Sequence, residues 1–324
     1  MRVLITGGAG FIGSHLAEAL LAEGHAVTAL DDLSTGRRAN VAALVEHPEF
    51  RLEVGSVLDR AHCERVVAGT DLVVHLAAAV GVKLVFEQPI ETIERNVRGT
   101  EHVLEAAARH GRKVFLASTS EVYGKEARVD GAPFRETDDL TLGASMRWSY
   151  GCSKALDEYL ARAYHRTRGL PVVIGRLFNT VGPRQTGAYG MVIPRFVDSA
   201  LTGRPIEVYG DGRQVRVFAH VHDTVRALWA LMNEPRAEGE IINIGGAEPI
   251  TMLDLAHRIK AMTASASKVV LRSYEEAYGP GFEDPRLRVP DLGKLQALVG
   301  YRPEFSLEAI LRDMVDDGRR RLDR

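Results

Sequence analysis

The stretch Thr6-Gly7-Gly8-Ala9-Gly10-Phe11-Ile12-Gly13 constrains what this chain can fold into more than any other. It lies between an apolar run at residues 2–6, with the composition of a strand, and a segment at 12–23 whose apolar residues recur with helical period. Glycines at such a junction permit a tight turn, let the backbone approach a pyrophosphate, and let helix pack closely on strand. The helix N-terminus adds free N–H groups and a partial positive charge. A glycine pattern alone suits any tight turn equally well. Here, however, the next strand candidate, residues 26–30, runs into Asp31, 18 residues after Gly13. A carboxylate there can accept hydrogen bonds from ribose hydroxyls and repels a 2′-phosphate. Together these features predict a Rossmann unit that takes NAD rather than NADP, with Gly7, Gly10, Phe11, Ile12, Gly13 and Asp31 at the cofactor.

Further strand candidates follow at residues 50–54, 72–76, 114–117 and 172–176, with a helical period at 90–109. Alternation of strand and helix predicts an α/β fold, a doubly wound parallel sheet with right-handed crossovers. Beyond about Thr180 glycine and proline become frequent, as in Gly182-Pro183 and Gly210-Asp211-Gly212, which predicts a smaller C-terminal lobe of short elements. The expected division is an NAD-binding domain at 1–178 and a substrate-binding lobe at 179–324, part of which returns to the sheet. Residues 271–290 read as an ordered loop and 306–321 as a closing helix. Asp223 reads as the N-cap of a helix at 224–232.

A chain of 324 residues is long enough for this plan. Its formal net charge of −2 gives no general electrostatic case for binding nucleic acid or an anionic membrane. The longest apolar run, residues 72–82, is interrupted by His75 and is too short to span a bilayer. Two cysteines, Cys63 and Cys152, make no disulfide framework, and no charged-then-apolar leader precedes the first strand. A cytoplasmic enzyme is expected. His220 and His222 lack a third placed ligand, so no metal is expected.

Tyr150-Gly151-Cys152-Ser153-Lys154 sets a tyrosine and a lysine four apart on one helix face. A free phenol is a poor base near neutrality, and a nearby ammonium favours the phenolate. Such a pair can take a proton from a sugar hydroxyl while a nicotinamide takes the hydride. A half-buried tyrosine beside an exposed lysine is also an ordinary helix surface, so the pair by itself decides nothing.

The glycine motif, Asp31, His75-Leu76-Ala77-Ala78, Asn96-Val97-Arg98-Gly99-Thr100 and Tyr150-x-x-x-Lys154 resemble the extended short-chain dehydrogenase/reductases. The stretches 176–184 and 208–216 are similar to the nucleotide-sugar epimerase/dehydratase branch of that family. The resemblance covers nearly the whole chain. It implies NAD contacts from Leu76, Ala77, Ala78, Asn96, Tyr150 and Lys154. It implies substrate contacts from Lys83, Asn179, Val192, Arg195, Tyr209, Arg216, Arg288 and, more loosely, Arg213. It also implies a homodimer built on the helices at 90–109 and 148–168.

Ser118-Thr119-Ser120-Glu121 closes a strand. By resemblance Thr119 completes a Thr/Tyr/Lys triad, and Ser120 and Glu121 face the sugar. The 4,6-dehydratases acting on dTDP-glucose carry an Asp–Glu pair there, and a serine cannot replace that acid near neutrality. Ser-Glu, with Arg147-Trp148-Ser149-Tyr150 and the stretch 278–290, resembles the UDP-glucuronate decarboxylases, in which the Arg matching Arg288 lies near the substrate carboxylate. The implied reaction is oxidation at C4, loss of CO2 from a β-keto acid, protonation at C5 by Glu121 or by a water held by Ser120 and Glu121, and return of the hydride, giving UDP-xylose from a UDP-sugar substrate. A 4-epimerase of UDP-glucose or UDP-glucuronate, a nucleotide-sugar 4,6-dehydratase, and a non-catalytic NAD-binding protein remain alternatives. The last usually loses the Tyr/Lys pair, which is intact here.

Overall fold

The computed structural model describes residues 1–81, 88–125, 131–187, 190–279 and 282–323. Its centre is a seven-stranded parallel sheet: β1 (Arg2–Thr6), β2 (Ala26–Asp31), β3 (Phe50–Val54), β4 (Leu72–His75), β5 (Lys113–Thr119), β6 (Val172–Leu177) and, from far down the chain, β11 (Ile241–Ile244). The spatial order is β11-β6-β5-β4-β1-β2-β3. Order therefore reverses between β1 and β4, and such a switch point opens a crevice at the carboxyl ends of the strands. β4 is buried along its whole length and β1 along all but its first residue. Both faces are covered, as the near-continuous Val, Leu and Ile composition requires.

Helices α1 (Phe11–Ala22), α2 (Arg60–Ala68), α3 (Pro89–His110) and α4 (Ser149–Arg168) link the first strands. α1 packs on one face with Leu16 and Leu20 in a core shared with Val3, Ile5 and Leu228. α2, α3 and α4 cover the other face, where Cys63, Val103, Leu104 and Ala161 meet Leu4, Val73 and Leu116. α3 and α4 each stop at a glycine in left-handed conformation, Gly111 (φ 63°) and Gly169 (φ 67°).

After β6 the chain adds β7 (Thr180–Val181), α5 (Val192–Leu201), β8 (Ile206–Tyr209), β9 (Val215–Arg216), β10 (Ala219–His220), α6 (Val221–Met232), β12 (Ile250–Thr251), α7 (Met252–Met262), β13 (Val269–Arg272), α8 (Tyr274–Tyr278), β14 (Leu287–Arg288), α9 (Gly293–Val299) and α10 (Leu307–Leu322), of which α6 and α9 return to the sheet core beside α1 and the others build the lobe. Its own core joins Phe196 and Val197 of α5, Leu255 and Ile259 of α7, and Ile310 and Met314 of α10. Two expectations are corrected here. α6 begins at Val221, and its cap is His220, whose ring accepts from the His222 N–H. Asp223 instead lies buried in the first turn, where it accepts the N–H groups of Glu304 and Phe305 at 3.1 Å and pairs with Arg226 at 2.7 Å. Residues 271–290, read as a loop, contain the end of β13, the short helix α8 and β14.

Candidate active site

The turn after β1 is built for close approach. Gly7 has φ +71°, and a Cβ there would lie 2.9 Å from the Ala77 nitrogen. A Cβ on Gly13 would lie 2.3 Å from the Gly7 carbonyl oxygen, so α1 can sit on the turn only with glycine at that position. Thr6 fastens the neighbouring loop: its Oγ1 shares a hydrogen bond with His75 Nδ1 at 2.7 Å and accepts the Ala77 N–H at 3.2 Å. Asp31 ends β2 with both oxygens on backbone, Oδ2 accepting from Ala9 at 2.9 Å and Oδ1 from Leu33 at 2.8 Å. Burial raises its carboxyl, partly offset by those N–H groups. Each oxygen keeps a lone pair for a ribose hydroxyl. Gly7, Gly10, Phe11, Ile12, Gly13, Asp31, Leu76, Ala77 and Ala78 all line one cleft of about 500 Å³ at the switch point. The donor set, the glycine cradle and the terminal carboxylate fit a dinucleotide.

Asn96 does not line that cleft. Its amide is used up as a staple, Oδ1 accepting from the Ala79 N–H at 2.8 Å and Nδ2 donating to Ser153 Oγ at 3.2 Å, so it positions the 76–79 segment against α4. Lys83 lies outside the described residues.

Thr119, Ser120, Glu121 and Tyr150 stand together on the cleft wall. The strand β5 ends in a short turn, Ser120–Tyr123, capped by Thr119 Oγ1 accepting the Glu121 N–H at 3.2 Å. This turn directs Glu121 at Arg147, in the short turn Met146–Trp148 just before α4. Burial alone would raise the Glu121 carboxyl, but Arg147 and Arg288 outweigh it and hold the group far below the usual carboxylate range. Arg147 is bidentate, at 2.5 and 3.1 Å, and Arg288 Nη1 closes the clamp from β14. Arg288 Nη2 is buried with no hydrogen-bond partner among the described residues. Arg147 was not assigned a role from the sequence. Its signal is a charged residue inside the otherwise apolar and small stretch that opens the Tyr/Lys helix.

Tyr150 departs from the expectation that Lys154 lowers its pKa. Among the protein's own groups, burial and then the Glu121 charge push the phenol well above its ordinary value, against a hydrogen bond from Thr119. Lys154, only 2% exposed, is turned to Asp157, with Nζ 2.8 Å from Oδ2.

The lobe supplies the opposite wall, including Asn179, Val192, Arg195, Tyr209, Arg216 and Arg288. Asn179, at φ 37°, donates to the Val217 carbonyl at 2.8 Å. Arg195 lies 3.9 Å over the Tyr209 ring, and Tyr278 meets that ring edge-on, so one face of Tyr209 is already covered. Arg216 pairs with Asp284 at 2.7 Å and is buried, whereas Arg213 is exposed and is absent from the lining. Tyr274, Tyr278, Phe282 and Asp284, from the stretch read as a loop, close the cleft. Among the described residues no three His, Cys, Asp or Glu side chains converge as metal ligands. Among them, too, no helix is long and apolar enough to cross a membrane.

A nucleotide cradle at the switch point, with a Tyr/Lys helix beside it, defines a class: the enzymes of the NAD dependent epimerase/dehydratase family. The model of that family matches residues 3–245, and the chain belongs to it; its cofactor is NAD. The chain is 44% identical over 318 residues to a UDP-N-acetyl-alpha-D-glucosaminuronate decarboxylase of Bacillus cytotoxicus, covering 97% of this chain and 96% of that one. It is 36% identical over 310 residues to UDP-glucuronic acid decarboxylase 1 of Danio rerio, covering 95% and 70%. A solved UDP-glucuronic acid 4-epimerase from Bacillus cereus, in complex with UDP-glucuronic acid and NAD, superposes with a TM-score of 0.89 at 28% identity over 99% of both chains.

Proposed function

We propose that this protein decarboxylates a UDP-hexuronate through a transient 4-keto sugar, with UDP-glucuronate going to UDP-xylose. The observation that carries this reading is the spare donor on Arg288. In this cleft-lining residue one guanidinium nitrogen is held by Glu121, while the other, Nη2, is buried without a hydrogen-bond partner among the described residues. A buried unpaired guanidinium donor is costly and suits a second carboxylate, which a neutral hexose lacks. The decarboxylase relatives support the same reading.

The protein's own groups hold the Tyr150 phenol high, and it is the ionised form of that phenol that takes the proton from the 4-hydroxyl. NAD, held by the glycine turn and Asp31, supplies acceptance of hydride from C4 and its later return. Thr119 and the protonated Tyr150 then donate hydrogen bonds to O4. The carboxylate is now β to a ketone, so the C5–C6 electron pair can delocalise onto O4 as CO2 leaves. Glu121 between two guanidinium groups stays ionised and is a poor acid. C5 therefore takes its proton from a water held by Ser120 and Glu121, and the hydroxide left behind takes a proton from solvent. Tyr150 returns its proton to O4 at the end, and no net oxidation results. Arg195 and Arg216 face the diphosphate.

The relative from Bacillus cytotoxicus supports a second substrate, the same uronate with an acetamido group at C2. The NAD-loaded protein is incubated with each nucleotide sugar, without reductant, and followed by mass spectrometry. Loss of CO2 to a UDP-pentose, or to its acetamido counterpart, is expected. An unchanged mass with a new chromatographic peak means 4-epimerisation and overturns decarboxylation.

We also propose a homodimer joined through α3 and α4. Ile90 is 69% exposed and Tyr159 62%, and Leu156 and Met146 beside them are more than half exposed. Ile93, Val97, Met146 and Leu156 line a shallow groove between the two helices. A cytoplasmic location suits the two free cysteines.

A further inference from the structure

Tyr150, Lys154 and Asp157 stand at positions 0, +4 and +7 of α4, along one face of the helix. Asp157 is fully buried, and its Oδ2 takes the Lys154 ammonium at 2.8 Å. We propose that Asp157 is a positioning residue: its buried carboxylate anchors the Lys154 ammonium and cancels much of the positive field that Lys154 would otherwise impose on Tyr150. This rests on the reading of Tyr150 and Lys154 as the catalytic pair.

The surroundings leave Asp157 as the counter-charge. Arg147, from the turn before α4, is engaged by Glu121, and Arg176 of β6 is engaged by Glu158 at 2.7 Å. From β4, His75 faces Lys154; burial first and then that ammonium lower its pKa to about 3, so it stays neutral. Burial raises the Asp157 carboxyl above its ordinary value, against the Lys154 ammonium and the hydroxyl of Thr100, which comes from α3 and also hydrogen-bonds His75 Nε2 at 3.1 Å. Of the two carboxylates that act on the Tyr150 phenol, Glu121 is screened by two guanidinium groups, whereas among the described residues Lys154 is the one cation paired with Asp157. A lysine neutralised in this way orients the site without acidifying the tyrosine strongly, so proton removal is coupled to whatever draws the ammonium forward.

The test compares wild type and Asp157→Asn with NAD bound. The ultraviolet phenolate band is titrated with pH, and the Tyr150→Phe spectrum is subtracted to isolate Tyr150. Removing the negative charge favours the phenolate, so the midpoint is expected about one pH unit lower. The acid limb of kcat/KM should move with it. An unmoved midpoint, with only a lower Tm, overturns the inference and leaves Asp157 a structural residue. If Asp157→Asn does not fold, Asp157→Ser, which leaves room for a water, is titrated in the same way. Should Tyr150→Phe and Lys154→Met retain turnover, the catalytic pair itself is wrong; if both are inactive while the midpoint is unmoved, only the role of Asp157 falls.

Discussion

At the scale of single residues, the clamp on Glu121 decides which proton chemistry the cleft can do. A carboxylate between Arg147 and Arg288 does not hold a proton near neutrality, so its contribution is charge and water placement. Glu121→Gln should keep the fold at neutral pH and slow the decarboxylation step more than it changes KM, as read in single-turnover product formation. The same clamp gives a pH signature in stability. The folded pKa of Glu121 is depressed, so the clamp's stabilisation is present above the ordinary glutamate pKa and is lost as pH falls below it. The Tm difference between wild type and Glu121→Gln should therefore shrink in acid, and a difference that grows in acid contradicts the assignment. Arg288→Lys keeps the charge but loses the second donor. For a uronate it should cost roughly tenfold to a hundredfold in kcat/KM, the worth of one charge-assisted hydrogen bond. Tyr150→Phe should cost more, about 10² to 10⁴ in kcat.

At the scale of elements, the way α4 is seated on the sheet explains how β5 and β6 present the cleft. Glu158 of α4 takes Ser118 Oγ of β5 at 2.5 Å and Arg176 of β6 at 2.9 and 2.7 Å, all buried. Breaking this pair by Arg176→Met leaves an uncompensated buried charge, and about 3–5 kcal/mol should be lost in denaturant titration. Neither this brace nor Asp157 was legible in the sequence, because a helical charge reads as solvent-facing until its partner from a distant strand is known. What was legible followed local rules. β1 and β3 matched their apolar runs residue for residue, and the glycine turn announced the crevice because backbone geometry there depends on nearby residues alone. The start of α6 was misplaced because either His220 or Asp223 could cap it, and the tertiary contact of Asp223 with the 304–305 backbone settled the competition. α8 escaped notice because a five-residue helix carries too few periods to read, and a capping box on Ser273 and Glu276 was its one local sign.

At the scale of the molecule, the carboxyl edge of the sheet and the lobe share one cleft, while the groove on α3 and α4 shares no lining residue with it. The exposed face of α3 and α4 has a physical cost to explain. Ile90, Leu156 and Tyr159 expose large apolar surface on the two helices that also carry Asn96, Tyr150 and Lys154 on their inner sides. Contiguous apolar surface of this kind marks an interface, and a twofold axis can pair it with itself. Such a dimer would stiffen α4 from outside while the Glu158 brace holds it from within, so association and catalysis should be linked. Leu156→Glu combined with Tyr159→Glu places charge in the centre of the patch without touching the cleft. Light scattering coupled to size exclusion should then report a monomer where the unmodified chain is a dimer, with a lower Tm and reduced kcat that recover in part at high protein concentration. An unmodified chain that runs as a monomer overturns the dimer, and a double variant that still dimerises places the interface elsewhere; either leaves the exposed face of α3 and α4 without its proposed partner.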